Sequence, residues 1–159
     1  MITKILLVII GALVAAGLRD YHQKQKTKVD TIHALMDKAE QLLNEIVSDL
    51  HGVDELVLRE TPLVRNLKNR DEFYRLLERR RLLIVAKETY LRKIFTEIHR
   101  QDKKIYPIPT DKLNNLKKSI GDFFDSPQSV NSLAAVVANK NDLMISFHRQ
   151  PFIWFNFWL

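Results

Sequence analysis

Two apolar stripes of helical period run through this chain. Val29, Ile32, Met36, Ala39, Leu43, Ile46, Leu50 and Val53 follow one another at alternating spacings of three and four, the pattern that lines one face of an α-helix. Leu35, Leu42 and Leu56 add a neighbouring column, which widens the stripe beyond a two-stranded coiled-coil seam and predicts packing in a bundle. The second stripe repeats every seven residues through Leu77, Ile84, Leu91 and Ile98, with Leu76, Leu83 and Tyr90 beside it.

Punctuation between the stripes sets the expected boundaries. Gly52 predicts an end or bend of the first helix, because an interior Gly costs about 1 kcal/mol relative to Ala. Thr61-Pro62 reads as a helix start, with Thr61 as N-cap and Pro62 in the first turn. Asn69 to Asp71 marks a further break. The prolines of Tyr106-Pro107-Ile108-Pro109 end the second helix, since each pushes its predecessor out of helical geometry. Thr110 then caps a short helix through Leu113, Leu116, Ile120 and Phe123 or Phe124, with Gly121 as its stop. Ser126-Pro127 opens another through Val130, Leu133, Val137, Met144 and Phe147, interrupted at Asn139 to Asn141.

The ends of the chain differ from this middle. Ile5 to Leu18 carries no charged or strongly polar side chain, and Ile5, Leu6, Leu7, Val8, Ile9, Ile10, Leu13, Val14 and Leu18 read as a membrane anchor. As a helix, Ile2 to Leu18 reaches roughly 25 Å against a hydrocarbon core of about 30 Å, a short span that Lys4 extends by snorkelling. The rivals are a cleaved secretory signal, with Val14-Ala15-Ala16 as the cleavage site, and a plain buried helix. Arg19, Lys24, Lys26 and Lys28 follow the segment and only Lys4 precedes it. A retained anchor would therefore leave the bulk of the chain in the cytoplasm, whereas a cleaved signal would export it. At the other end Pro151 to Leu159 holds both tryptophans, three phenylalanines and no charge. Such a tail needs a cover, and Trp154, Phe155 and Trp158 are its expected anchors in a bundle, a partner groove or a lipid interface.

The expected fold is all-α: a transmembrane anchor at 1–18, a basic juxtamembrane linker at 19–28, a long antiparallel helical hairpin at 29–104, a proline linker at 105–109, shorter C-terminal helices at 110–150 and the aromatic tail at 151–159. Composition agrees, because four glycines and five prolines in 159 residues leave few tight turns, and 46% apolar content supports a core. The absence of cysteine excludes disulfides and thiol chemistry but leaves the compartment open.

Charge is uneven: Asp71 to Lys104 holds ten Lys/Arg against six Asp/Glu, within a net charge of +6. Arg75, Arg79, Arg81, Arg92 and Lys93 form the expected basic surface, suited to anionic lipid or an acidic protein. Arg79-Arg80-Arg81 points three ways around a helix, so nucleic acid is disfavoured as a partner, and Arg80, close to the apolar stripe, would need a carboxylate or an exit to solvent. Glu88, four residues before Arg92, is placed for a helix-surface pair.

Little catalytic chemistry is legible. His22, His33, His51, His99 and His148 fall in no metal-binding spacing, although Asp30 and His33 share a helix face. The glycines are too scattered for a phosphate loop, no serine lies in a G-x-S-x-G elbow, and Asp54-Glu55 and Asp71-Glu72 suit helix starts. No cofactor, metal or small-molecule substrate is implied, and no enzyme is expected. The function that follows is a membrane-anchored helical scaffold or assembly factor. Its partners would be lipid and an unidentified protein, with self-association through the heptad seam as one form. An exported helical protein is the alternative, and a small basic nucleic-acid module comes third.

Overall fold

A computed structural model describes residues 2–60, 67–125 and 130–148, with side chains placed over 11–58, 70–125 and 131–146. It is all-α, with helices α1 (Ile2–Glu60), α2 (Leu67–Gln101), α3 (Thr110–Asp125) and α4 (Val130–His148) and no strand among the described residues. The chain divides into two compact units, Met1–Leu35 and Met36–Leu159.

In the second unit the four helices close into a bundle. Lys87 of α2 reaches Glu45 at 3.0 Å and Asp49 at 2.9 Å on α1, and Lys38 lies 5.1 Å from the Tyr90 ring, so rising numbers on α1 meet falling numbers on α2. Arg92 meets Leu113 and Arg81 meets Phe124, which makes α3 antiparallel to α2. Lys112 bonds the Asp142 carbonyl and Asn139 the Asn115 carbonyl, which makes α4 antiparallel to α3. Lys140 donates to Asn44 and returns the ring to α1. Each helix thus lies between two antiparallel neighbours, as in an up-down-up-down bundle.

The core is built from the stripes. Ala39, Leu43, Ile46, Leu50, Val53 and Val57 of α1, Ile84, Leu91, Ile94, Phe95 and Ile98 of α2, Leu113, Leu116, Ile120 and Phe123 of α3, and Val136 and Leu143 of α4 are all buried. Losing one such large aliphatic side chain costs about 2–5 kcal/mol. Of the remaining seam residues, Ile32 is buried, Met36 and Leu77 are half-buried, and Val29 is exposed.

Several expected breaks are absent. α1 runs through Gly52 to Glu60, because burying Val53 and Val57 on the next turns outweighs the cost of one exposed Gly. Asn69 to Asp71, Gly121 and Asn139 to Asn141 also lie inside helices, where the apolar faces on either side hold the helix across weak formers. The expected linker at 19–28 is continuous α1 helix, its Lys24 paired with Asp20 at 2.9 Å. The proline linker does form the α2–α3 turn. Asp102 Oδ1 accepts from the Lys104 and Ile105 amides at 3.2 Å, and the Leu113 amide closes onto the Pro109 carbonyl at 3.0 Å. The starts expected at Thr61-Pro62 and Ser126-Pro127 lie outside the described residues.

Among the described residues, no helix is long and apolar enough to cross a membrane. This overturns the expected single-pass placement with the bulk of the chain in the cytoplasm. The physical reason is that α1 does not end with its apolar stretch. Between Lys4 and Arg19 the uncharged run of Ile5 to Leu18 supplies only about 21 Å of helix against a hydrocarbon core of about 30 Å, and α1 then continues as a charged helix through Lys24, Lys26 and Lys28. Leu13, Val14 and Leu18 are exposed on it. The side chains of Ile5, Leu6, Leu7, Val8, Ile9 and Ile10 lie outside the described residues, as does the whole tail with Trp154, Phe155 and Trp158.

Candidate functional site

A helix that is apolar on every side belongs in an interior, and Leu82-Leu83-Ile84-Val85-Ala86 makes α2 apolar all round for more than a turn. Only Ile84 of these five is buried. Leu82 is 60% exposed, Leu83 56% and Val85 43%, and Leu76 and Tyr90, each seven residues from Leu83, are also exposed. Leu76, Leu83 and Tyr90 form an apolar strip, a column on the α1 shoulder of α2, Leu82 lies next to it on the outer face, and Val85 falls on the α3 shoulder. Among the described residues Lys38 of α1 reaches over the Tyr90 ring, and Leu76 and Leu83 stay open to solvent.

The basic residues divide around this strip. Arg75, Arg79, Leu82, Ala86 and Lys93 follow one another at helical spacing and all are exposed, so Arg75, Arg79 and Lys93 share the outer face with Leu82. No side-chain ion pair or hydrogen bond among the described residues engages these three cations. Arg80 is exposed too, which resolves its expected conflict with the core by an exit to solvent.

Arg81 and Arg92 stand on the other shoulder of α2, facing α3. Arg81 lies over the Phe124 ring with 5.9 Å to its centroid, a cation–π contact. Arg92 is half-buried, pairs with the Glu88 carboxylate, and donates a second hydrogen bond to the Leu113 carbonyl at 3.1 Å. Glu88 is only 5% exposed. The surface pair read from the sequence is therefore an interior strut joining α2 to α3, and Arg92 is committed to the fold. Burial of a carboxylate is tolerated where a guanidinium and its hydrogen bonds accompany it.

On the α1 side a second charge cluster flanks the strip. The hydrogen bond that Lys87 donates to Asp49 is the chief influence raising the Lys87 pKa, with Glu45 adding to it against the opposing effect of burial. Lys87, by hydrogen bond and by charge, lowers that of Glu45. Two carboxylates around one ammonium leave this corner net negative.

No group of three or more His, Asp or Glu that could hold a metal occurs among the described residues. His22, His33 and His51 are exposed, and His99 donates from Nδ1 to the Tyr106 carbonyl at 2.8 Å, fastening the α2–α3 turn. His148 has no described side chain. The hollow along Asp37, Glu40, Gln41, Asn44, Glu45 and Ser48 is lined by one helix alone and is an acidic groove open to solvent. The periodicity sets Leu76, Leu83 and Tyr90 alongside the seam but does not reveal that they stay exposed there. The five consecutive apolar residues at 82–86 were the signal that could have found it. No protein-family model, curated protein or solved structure matches the chain.

Proposed function

We propose that this chain is a helical scaffold or adaptor that acts by binding another protein surface through the outer face of α2. The observation that carries the reading is the apolar patch Leu76, Leu82, Leu83 and Tyr90, held exposed beside Arg75, Arg79 and Lys93 on a helix whose other face is fixed in a core. An apolar centre edged by cations is the composition of a protein interface. Aliphatic side chains between the cations favour protein over single-stranded nucleic acid, which needs aromatic platforms for its bases. Turnover has no part in this reading.

A photo-crosslinking residue in place of Ala86, introduced into the full chain in its native cell, tests it. Protein adducts that disappear when Leu83→Glu is added support the reading, and adducts unaffected by Leu83→Glu, or none, reject it. Lipid is the competing occupant. Co-sedimentation with anionic vesicles that Leu83→Glu abolishes, without protein adducts, would replace the protein reading.

A further inference from the structure

We infer that the outer face of α2 binds a second copy of this chain, with the two α2 helices antiparallel across a two-fold axis at Leu83. This rests on the proposed protein-binding role and names its occupant. The spacing of the strip is self-complementary: Leu76 and Tyr90 lie seven residues on either side of Leu83, so reversing one helix on the other sets Leu83 against Leu83 and Leu76 against Tyr90. A two-fold interface requires this correspondence, and it closes at two subunits.

The charges read the same way in reverse. Glu72 and Lys93 are exposed near opposite ends of the strip, about equally far from its centre. An antiparallel copy brings each Glu72 to Lys93 of the second copy, twice, whereas a parallel one sets like charges together. Apolar centre and charged rim are therefore both matched by the chain's own surface.

The size of the face sets the expected strength. Arg75 to Lys93 spans roughly 28 Å of helix about 10 Å wide, at the small end of specific interfaces, which bury less than about 1,200 Å² in total. The dimer should be weak and concentration-dependent. The heptad seams themselves take no part, because Leu43, Ile46, Leu50, Ile84, Leu91 and Ile98 are consumed inside the bundle.

Sedimentation velocity of the full chain from about 1 to about 200 µM tests the inference, a range that brackets weak association. The wild type should pass from monomer to dimer, and Leu83→Glu should stay monomeric with unchanged helical circular dichroism, since Leu83 is 56% exposed and lies outside the core. Glu72→Lys should weaken the dimer about tenfold, and Glu72→Lys with Lys93→Glu should restore it, a rescue that a general loss of structure would not show. A wild type that remains monomeric throughout, or a Leu83→Glu chain that still dimerises, overturns the inference. So does a monomeric wild type that dimerises only when shortened after Gln150, which would assign the face to the chain's own aromatic tail. A monomer that still gives Leu83-dependent adducts to a different protein from position 86 sinks the second copy and keeps the binding role. Absence of both sinks both.

Discussion

Replacing Arg92 with Met separates an arginine that serves a surface from one that serves the fold. The change keeps the length and apolar stem of the side chain but removes the guanidinium from Glu88 and from the Leu113 carbonyl. Glu88, with 6% of its side chain exposed, is then a buried carboxylate without its counter-ion. Breaking a fully buried pair costs about 3–5 kcal/mol. Here the Arg92 side chain keeps 31% of its exposure, so water already screens the pair and a figure of ~2–3 kcal/mol is appropriate. For a helical unit of this size that lowers Tm by about 10 °C. Glu88→Met should cost less, about 1 kcal/mol, because the freed guanidinium can turn to solvent while keeping its bond to α3. The double variant should be nearly as stable as Glu88→Met alone, giving a coupling energy of ~2 kcal/mol in a urea-denaturation cycle. Additive losses, or an Arg92→Met cost within about 0.5 kcal/mol of zero, the range of an ordinary surface residue, would refute the strut.

The remaining expectations are narrower. Leu91→Ala should cost about 2–5 kcal/mol and Leu83→Ala less than about 0.5 kcal/mol by urea denaturation of dilute protein; equal costs would contradict the assignment of one seam to the core and one to solvent. Lys87 holds the Glu45 pKa down, so the carboxylate's contribution is present above its ordinary value of 4.5 and is lost as pH falls through the lowered one. The Lys87 pKa is raised by Asp49 first, so its contribution holds below the ordinary 10.5 and is lost as pH rises through the raised value. Thermal melts should therefore show Lys87→Met less stable than wild type near neutrality, with the gap closing as pH falls below 4.5 and again as it rises above 10.5; a gap constant with pH would remove these pairs from the stability of the α1–α2 contact. Asp102→Ala should cost about 1 kcal/mol through the two amides it leaves uncapped, read as faster hydrogen exchange at Lys104 and Ile105.

The helical core was legible where periodicity and burial coincide. Leu43, Ile46, Leu50, Ile84, Leu91 and Ile98 all lie inside, because a three-four alternation sustained over several turns leaves one geometric solution. The proline turn at 105–109 was legible for a local steric reason, and Asp102 adds the cap. Helix interruptions were not, because Gly52, Asn69 and Asn139 carry propensities near 1 kcal/mol or less that the burial of adjacent apolar turns overrides. The exposure of Leu76, Leu83 and Tyr90 was not legible for a related reason. A seven-residue repeat identifies a face without saying whether that face is covered, and here Phe95, Ile94 and Glu88 fill the interior instead. Arg92 shows the same limit for charge, since its partner across the turn is α3, which the spacing from Glu88 to Arg92 cannot reveal. The anchor expectation failed because a hydropathy run was read as an element, whereas α1 continues past it into charged sequence.

Thiol reactivity of single cysteines tests directly whether the seams lie inside and the strip outside, in a chain with no native cysteine to interfere. Leu43→Cys and Leu91→Cys should react with maleimide only as fast as the protein opens, while Leu76→Cys, Leu83→Cys and Ala86→Cys should react at the rate of an exposed thiol in dilute protein and become protected as the concentration rises. Rapid labelling at positions 43 and 91, or protection at 76, 83 and 86 in the dilute monomer, would contradict it.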